Sequence, residues 1–84
     1  MLITLYHTLG CHLCELAEEV LEELRLDGHA LQIQLVDIAE DEALISLYGV
    51  QIPVLKIPQT SQTLSWPFDK AQVADWLRVS DRSR

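Results

Sequence analysis

The strongest constraint in this sequence is a change of period at position 11. Before it, Leu2-Ile3-Thr4-Leu5-Tyr6 is a nearly continuous apolar run, suited to a strand buried on both faces. After it, Leu13, Leu16, Ala17, Val20, Leu21 and Leu24 recur on one helical face, leaving Glu15, Glu18, Glu19, Glu22 and Glu23 to a solvated one. The spacing predicts a helix over residues 11–25, stopped by Asp27-Gly28. Leu31, Ile33 and Leu35 then alternate with Gln32 and Gln34, the pattern of an edge strand with one wetter face. Strand, helix and strand in that order imply a right-handed parallel unit.

The second half does not repeat this unit. Asp37, with Glu40 three residues on, is expected to cap a short helix carrying Leu44, Leu47 and Tyr48 and closed by Gly49. Residues 54–57 and 62–66 read as short strands around a hairpin turn at Pro58-Gln59-Thr60-Ser61. Asp69 and Gln72 form a capping pair for a last helix that buries Val73, Trp76 and Leu77. The predicted order is therefore βαβαββα, an α/β chain with one domain over residues 1–79 and a loose tail over 80–84.

A chain of 84 residues that is 49% apolar can close a modest core, hiding roughly 60% of its unfolded surface. Six Lys and Arg against thirteen Asp and Glu give a net charge of −7, which argues against nucleic acid as a partner. The N-terminus shows no basic stretch ahead of an apolar run, and no apolar run is long enough to cross a bilayer. A monomer in the reducing cytoplasm, away from membranes, is the expected setting.

The two cysteines lie three positions apart and cannot staple distant parts of the fold, so they serve reactivity or a ligand. In Cys11-His12-Leu13-Cys14, Cys11 falls where the first strand turns into the first helix, facing unpaired N–H groups and the positive end of the helix dipole. Cysteines in such places titrate at ~3.5–7.5, so Cys11 is the expected attacking thiolate. Cys14, one turn further in and shielded by the helix, is the expected resolving thiol, near enough to close a disulfide. A zinc site is the competing reading of a Cys-x-x-Cys pair and needs two more ligands. Only His7, His12 and His29 are available; His12 lies inside the pair, and His29 sits at the far end of the helix, about 20 Å away at ~1.5 Å per residue. No metal is therefore expected.

The segment Leu5-Tyr6-His7-Thr8-Leu9-Gly10-Cys11-His12-Leu13-Cys14-Glu15 resembles the active-site segment of bacterial glutaredoxin-like proteins, and Val50-Gln51-Ile52-Pro53-Val54 is similar to that family's second signature. The resemblance extends from Met1 to about Leu77. It implies a thioredoxin-like, glutaredoxin-type α/β/α sandwich on a four-stranded mixed sheet, with strands in the order second, first, third, fourth. The first and third helices would cover one face and the second helix the other. It further implies a cis Ile52-Pro53 bond, with Pro53 beside the sulfurs and the Ile52 backbone pairing with an extended substrate. The implied activity is that of a thiol-disulfide oxidoreductase, carrying electrons to protein or small-molecule disulfides.

The sequence departs from the pattern of glutathione-using members of that family. They carry Cys-Pro-Tyr-Cys, a lysine three residues before the first cysteine, and a Gly-Gly pair followed by Asp before the last helix. Here these positions hold His12-Leu13, Thr8 and Ser65-Trp66, with Asp69 downstream. Thr8 offers no cation to a carboxylate, and Trp66 sets a large ring where glycine would admit a peptide backbone. Glutathione is thus expected to be at most a weak cosubstrate, and no cofactor is called for. An imidazolium at His12 would favour the Cys11 thiolate; as a plain surface residue it would do nothing. Trp66 reads either as a wall of the substrate site or as core. Two further functions compete: a non-catalytic thioredoxin-fold module binding a partner protein beside Pro53, and a zinc-holding module.

Overall fold

The computed structural model describes residues 1–58 and 60–82. The elements are β1 (Leu2–His7), α1 (His12–Leu26), β2 (Gln32–Asp37), a 3-10 turn (Ile38–Glu40), α2 (Glu42–Tyr48), β3 (Val54–Lys56), β4 (Thr63–Ser65) and α3 (Lys70–Arg82). The strands form one mixed sheet in the order β2-β1-β3-β4, with β1 and β2 parallel and the other pairs antiparallel. This is the α/β arrangement that the resemblance implied.

One face of the sheet carries the main core. Ile3 and Leu5 of β1 and Leu55 of β3 point to it, and register sets Leu5 opposite Leu55. Against them pack Ala17, Leu21 and Leu24 from the apolar stripe of α1, and Val73 and Leu77 from α3. The alternate strand residues Thr4 and Tyr6 point to the second face. There the Tyr6 ring stacks on Tyr48 of α2 with centroids 4.7 Å apart, which places α2 opposite α1 and α3.

Caps explain the boundaries. Asp27 closes α1 and Gly28 follows at φ 106°, a conformation that favours glycine. The Asp69 carboxylate accepts from the Gln72 N–H at 2.8 Å while the Gln72 side chain accepts from the Asp69 N–H at 2.9 Å, the reciprocal pair expected at the start of α3. Two boundaries differ from the sequence reading. Asp37 caps only the 3-10 turn through the Ala39 N–H, and Asp41 caps α2 by accepting from Ala43 and Leu44, so Glu40 closes no capping box. The backbone of α3 runs to Arg82, into the stretch expected to be a loose tail, whereas residues 83 and 84 of that tail lie outside the described residues. In the hairpin turn, Gln59 also lies outside them; Ile57 and Thr60 close it, with the Thr60 hydroxyl donating to the Ile57 carbonyl at 2.6 Å.

Candidate active site

Strand β1 delivers the chain to the C-terminal edge of the sheet, and Gly10 turns it at φ 76° into the start of α1. Cys11 is the N-cap, extended at φ −86°, ψ 102°. Its sulfur accepts the Cys14 N–H at 3.1 Å, in the role that a Ser or Asp oxygen usually fills. The two cysteines are joined in a disulfide with Cα atoms 5.2 Å apart, within the range that such a bond spans. They differ in access: Cys11 is half-buried, whereas Cys14 is 3% exposed beneath the first turn. The polar end of α1 thus holds one reachable and one shielded sulfur.

The cis-proline segment comes to the same end of the sheet. β3 runs antiparallel to β1 with Val54 opposite Tyr6, so Pro53 precedes the strand at the level where β1 ends. Pro53 is buried, and the Ile52-Pro53 peptide is cis. The Pro53 carbonyl accepts the Trp66 N–H at 3.1 Å, extending the β3–β4 pairing by one step and fixing Trp66 at this end. The Trp66 ring is half-buried and stands edge-on to Phe68, centroids 5.0 Å apart, packed on the core. It therefore takes part in the core as well as reaching the site end. The Ile52 N–H is engaged by the Tyr48 carbonyl at 3.1 Å.

His12, the first residue of α1, turns its side chain to solvent. Its side chain is 79% exposed, and its neighbour is the Glu15 carboxylate, with Nδ1 3.6 Å from Oε2. Two lysines lie away from the start of α1. Lys56 is paired with Thr4, further down the sheet than Val54, and Lys70 is bound to Asp27 beyond the opposite end of α1. Among the described residues no three His, Cys, Asp or Glu side chains gather in a way that holds a metal ion, and no helix is long and apolar enough to cross a membrane.

Two features of the site were not read from sequence. The Trp66-Pro67 bond is cis, and no local signal separates it from an ordinary X-Pro pair. Gln51, just before Ile52, accepts a hydrogen bond from the Ser65 hydroxyl at 3.2 Å, tying the approach to Pro53 to β4. A short polar pair fourteen positions apart carries no pattern.

The architecture is that of the thioredoxin fold. Thioredoxin 1 from Thermosipho africanus TCF52B superposes with a TM-score of 0.67 over 99% of this chain and 98% of its own, at 16% identity. Residues 2–78 match the family described as Glutaredoxin-like domain (DUF836), and the chain belongs to that family. Similar solved structures include the X-ray and solution structures of a structural genomics target protein, XcR50, from X. campestris. The first is 40% identical with a TM-score of 0.81, covering 92% of this chain and 96% of that one; the second is 39% identical with a TM-score of 0.76, covering 94% and 95%. No curated protein matches this chain.

Proposed function

We propose that this chain is a cytoplasmic thiol-disulfide oxidoreductase acting through a dithiol, with Cys11 attacking and Cys14 resolving. The carrying observation is the unequal access of two linked sulfurs at the start of α1. In the reduced chain the Cys11 thiolate attacks one sulfur of a substrate disulfide; that bond breaks, and the departing sulfur leaves as a thiolate that takes up a proton. Cys14 then gives up its proton and attacks Cys11 Sγ, releasing the second substrate thiol and leaving the Cys11–Cys14 disulfide. The substrate gains two electrons, and a dithiol or two monothiols must return them to the chain. The helix terminus stabilises the charge that Cys11 needs, and burial keeps a substrate from reaching Cys14 first.

The test is a trapping experiment on single-cysteine chains. Cys14→Ser should arrest as a mixed disulfide on Cys11 when offered a peptide disulfide, and Cys11→Ser should trap far less. Equal trapping by both variants, or failure of the wild type to reduce the peptide with excess dithiol present, overturns the reading.

On the same reading glutathione is a poor cosubstrate, and the preferred substrates are protein or small disulfides without its two carboxylates. A like-charge contact at ~4 Å costs about 1 kcal/mol in water. Two such contacts with the glutamates of α1, about 2 kcal/mol together, would weaken binding by roughly 30-fold. Neither Lys56 nor Lys70 is placed to offset them. Turnover of a glutathionylated peptide should fall below that of an unrelated peptide disulfide and improve with moderate salt; a strong, salt-independent preference for the glutathionylated peptide contradicts this.

A further inference from the structure

Strand β2 is an outer edge of the sheet, and half of its backbone groups point away from β1. Gln32 is opposite Leu2, and its N–H donates to the Met1 carbonyl. In a parallel pair such bonding residues alternate, so Gln32, Gln34 and Val36 face β1, while the N–H and C=O groups of Ile33, Leu35 and Asp37 face outward. The side chains of Ile33 and Leu35 lie on the α1 side of the sheet, where Leu35 is 48% exposed. With Glu18, Glu22 and Arg25 they line a cleft of about 230 Å³. One surface therefore combines an unpaired strand edge, two aliphatic side chains and a row of carboxylates.

We propose that this edge is the docking site of an extended segment of a partner protein that carries Lys or Arg at alternate positions. A strand added antiparallel to β2 sets one residue directly opposite Ile33 and another opposite Leu35, with their side chains on the α1 side. Long cationic chains fit there, with their methylene stems on Ile33 and Leu35 and their charged ends at Glu22 and Glu18. Arg25 already holds Glu22 at 3.2 Å, whereas Glu18 has no cationic partner among the described residues. The strongest cation position is therefore opposite Leu35. The residues between face Gln34 and Val36 and call for small polar side chains. A second copy of this chain does not fit, because it would bring Glu18, Glu22 and Asp37 against their own images on a molecule of net charge −7. Glu18 lies seven residues along α1 from Cys11, about 10 Å at ~1.5 Å per residue, so this surface goes beyond the redox reading and does not rest on it.

The experiment uses the full chain with both cysteines changed to serine and the peptide acetyl-Thr-Lys-Thr-Lys-Thr-Lys-Thr-amide, followed by NMR. The peptide should shift and protect the amides of Ile33, Leu35 and Asp37. Methylating the lysine backbone nitrogens, which removes the donors aimed at β2, should weaken binding at least tenfold. So should the pair Glu18→Lys and Glu22→Lys, whereas Glu23→Lys with Glu40→Lys, an equal change of net charge elsewhere, should not. The proposal is overturned if the methylated peptide binds equally well, if the shifts map to other surfaces, if no binding appears at millimolar peptide, or if the chain alone self-associates through β2.

Discussion

The two faces of the sheet are built on different principles. On one, α1 presents Cys14, Ala17, Leu21 and Leu24 as a continuous buried stripe, and α3 closes over the same strands. On the other, α2 has no buried residue; Leu44 and Tyr48 are half-buried and Tyr48 stacks on Tyr6, while Ile38, Val54 and Thr4 are buried beneath that side. The first face is one contiguous core of buried side chains. The second is a thin cover over a few buried side chains, and the segment 49–53 that leads to the cis-proline hangs from it. Its stability is therefore local, and its opening does not require the main core to open.

The largest test of this contrast is a pair of truncations. Leu21→Ala should cost about 3 kcal/mol of unfolding free energy, because a fully buried leucine is removed from the α1 side. Leu47→Ala on α2, where the side chain is 62% exposed, should change it by less than ~0.5 kcal/mol. Urea denaturation of both variants decides it; similar losses would mean that α2 is covered in a way this contrast denies.

Tyr48→Ala should come next, at about 1.5 kcal/mol, since it removes both the stack on Tyr6 and the cover of that ring. A Tyr6→Ala, Tyr48→Ala double-mutant cycle should return a coupling of ~0.5–1.5 kcal/mol. Additive losses would reduce the stack to simple proximity. Asp41→Ala should cost about 1 kcal/mol, through the two N–H groups that it caps. Amide exchange should speed up along α2 while the amides of β1 and α1 keep their protection.

The smallest effect concerns the strap between α1 and α3. The hydrogen bond from Lys70 to the Asp27 carboxylate, and then the charge of that carboxylate, raise the Lys70 ammonium above its ordinary 10.5. A raised folded value means that the contribution is fully present below pH 10.5 and is lost as pH rises through the raised value. The Lys70→Gln chain should thus be slightly less stable than wild type at pH 8, and the gap should close above about pH 10.5. The pair is exposed, so salt should shrink the gap as well. A gap that widens at high pH would contradict the pairing.

The contrast also separates what was legible in the sequence from what was not. The Asp27-Gly28 end of α1 and the Asp69/Gln72 box are local signals, and each stands where its spacing put it. The α1 stripe holds through Ala17, Leu21 and Leu24, whereas Leu13, read as its first member, is exposed and Cys14 is buried in its place. The α2 region failed at its start because Asp37 and Asp41 are both good caps, each followed by a plausible turn. The choice between them depends on where β2 ends, which is set by pairing with β1. Nor does any local pattern show that Tyr48 will meet Tyr6, because strand order decides that. At the site, the position of Cys11 followed from the strand-to-helix switch. The engagement of the Ile52 N–H by Tyr48 and the packing of Trp66 on Phe68 needed the tertiary fold.

The Cys11 sulfur that caps α1 joins two quantities usually measured apart. A thiolate is a charged acceptor for the Cys14 N–H and a disulfide sulfur a neutral one, so this bond is stronger in the reduced, ionised chain. Folding and oxidation then form a closed thermodynamic cycle. Whatever the cap adds to the folding free energy of the reduced chain, relative to the oxidised one, reappears as a higher reduction potential of the folded pair over the unfolded pair. For a two-electron couple ~30 mV corresponds to about 1.4 kcal/mol. Unfolding free energies of the two redox states thus report the reduction potential of the folded pair relative to the unfolded one without an electrode or a substrate.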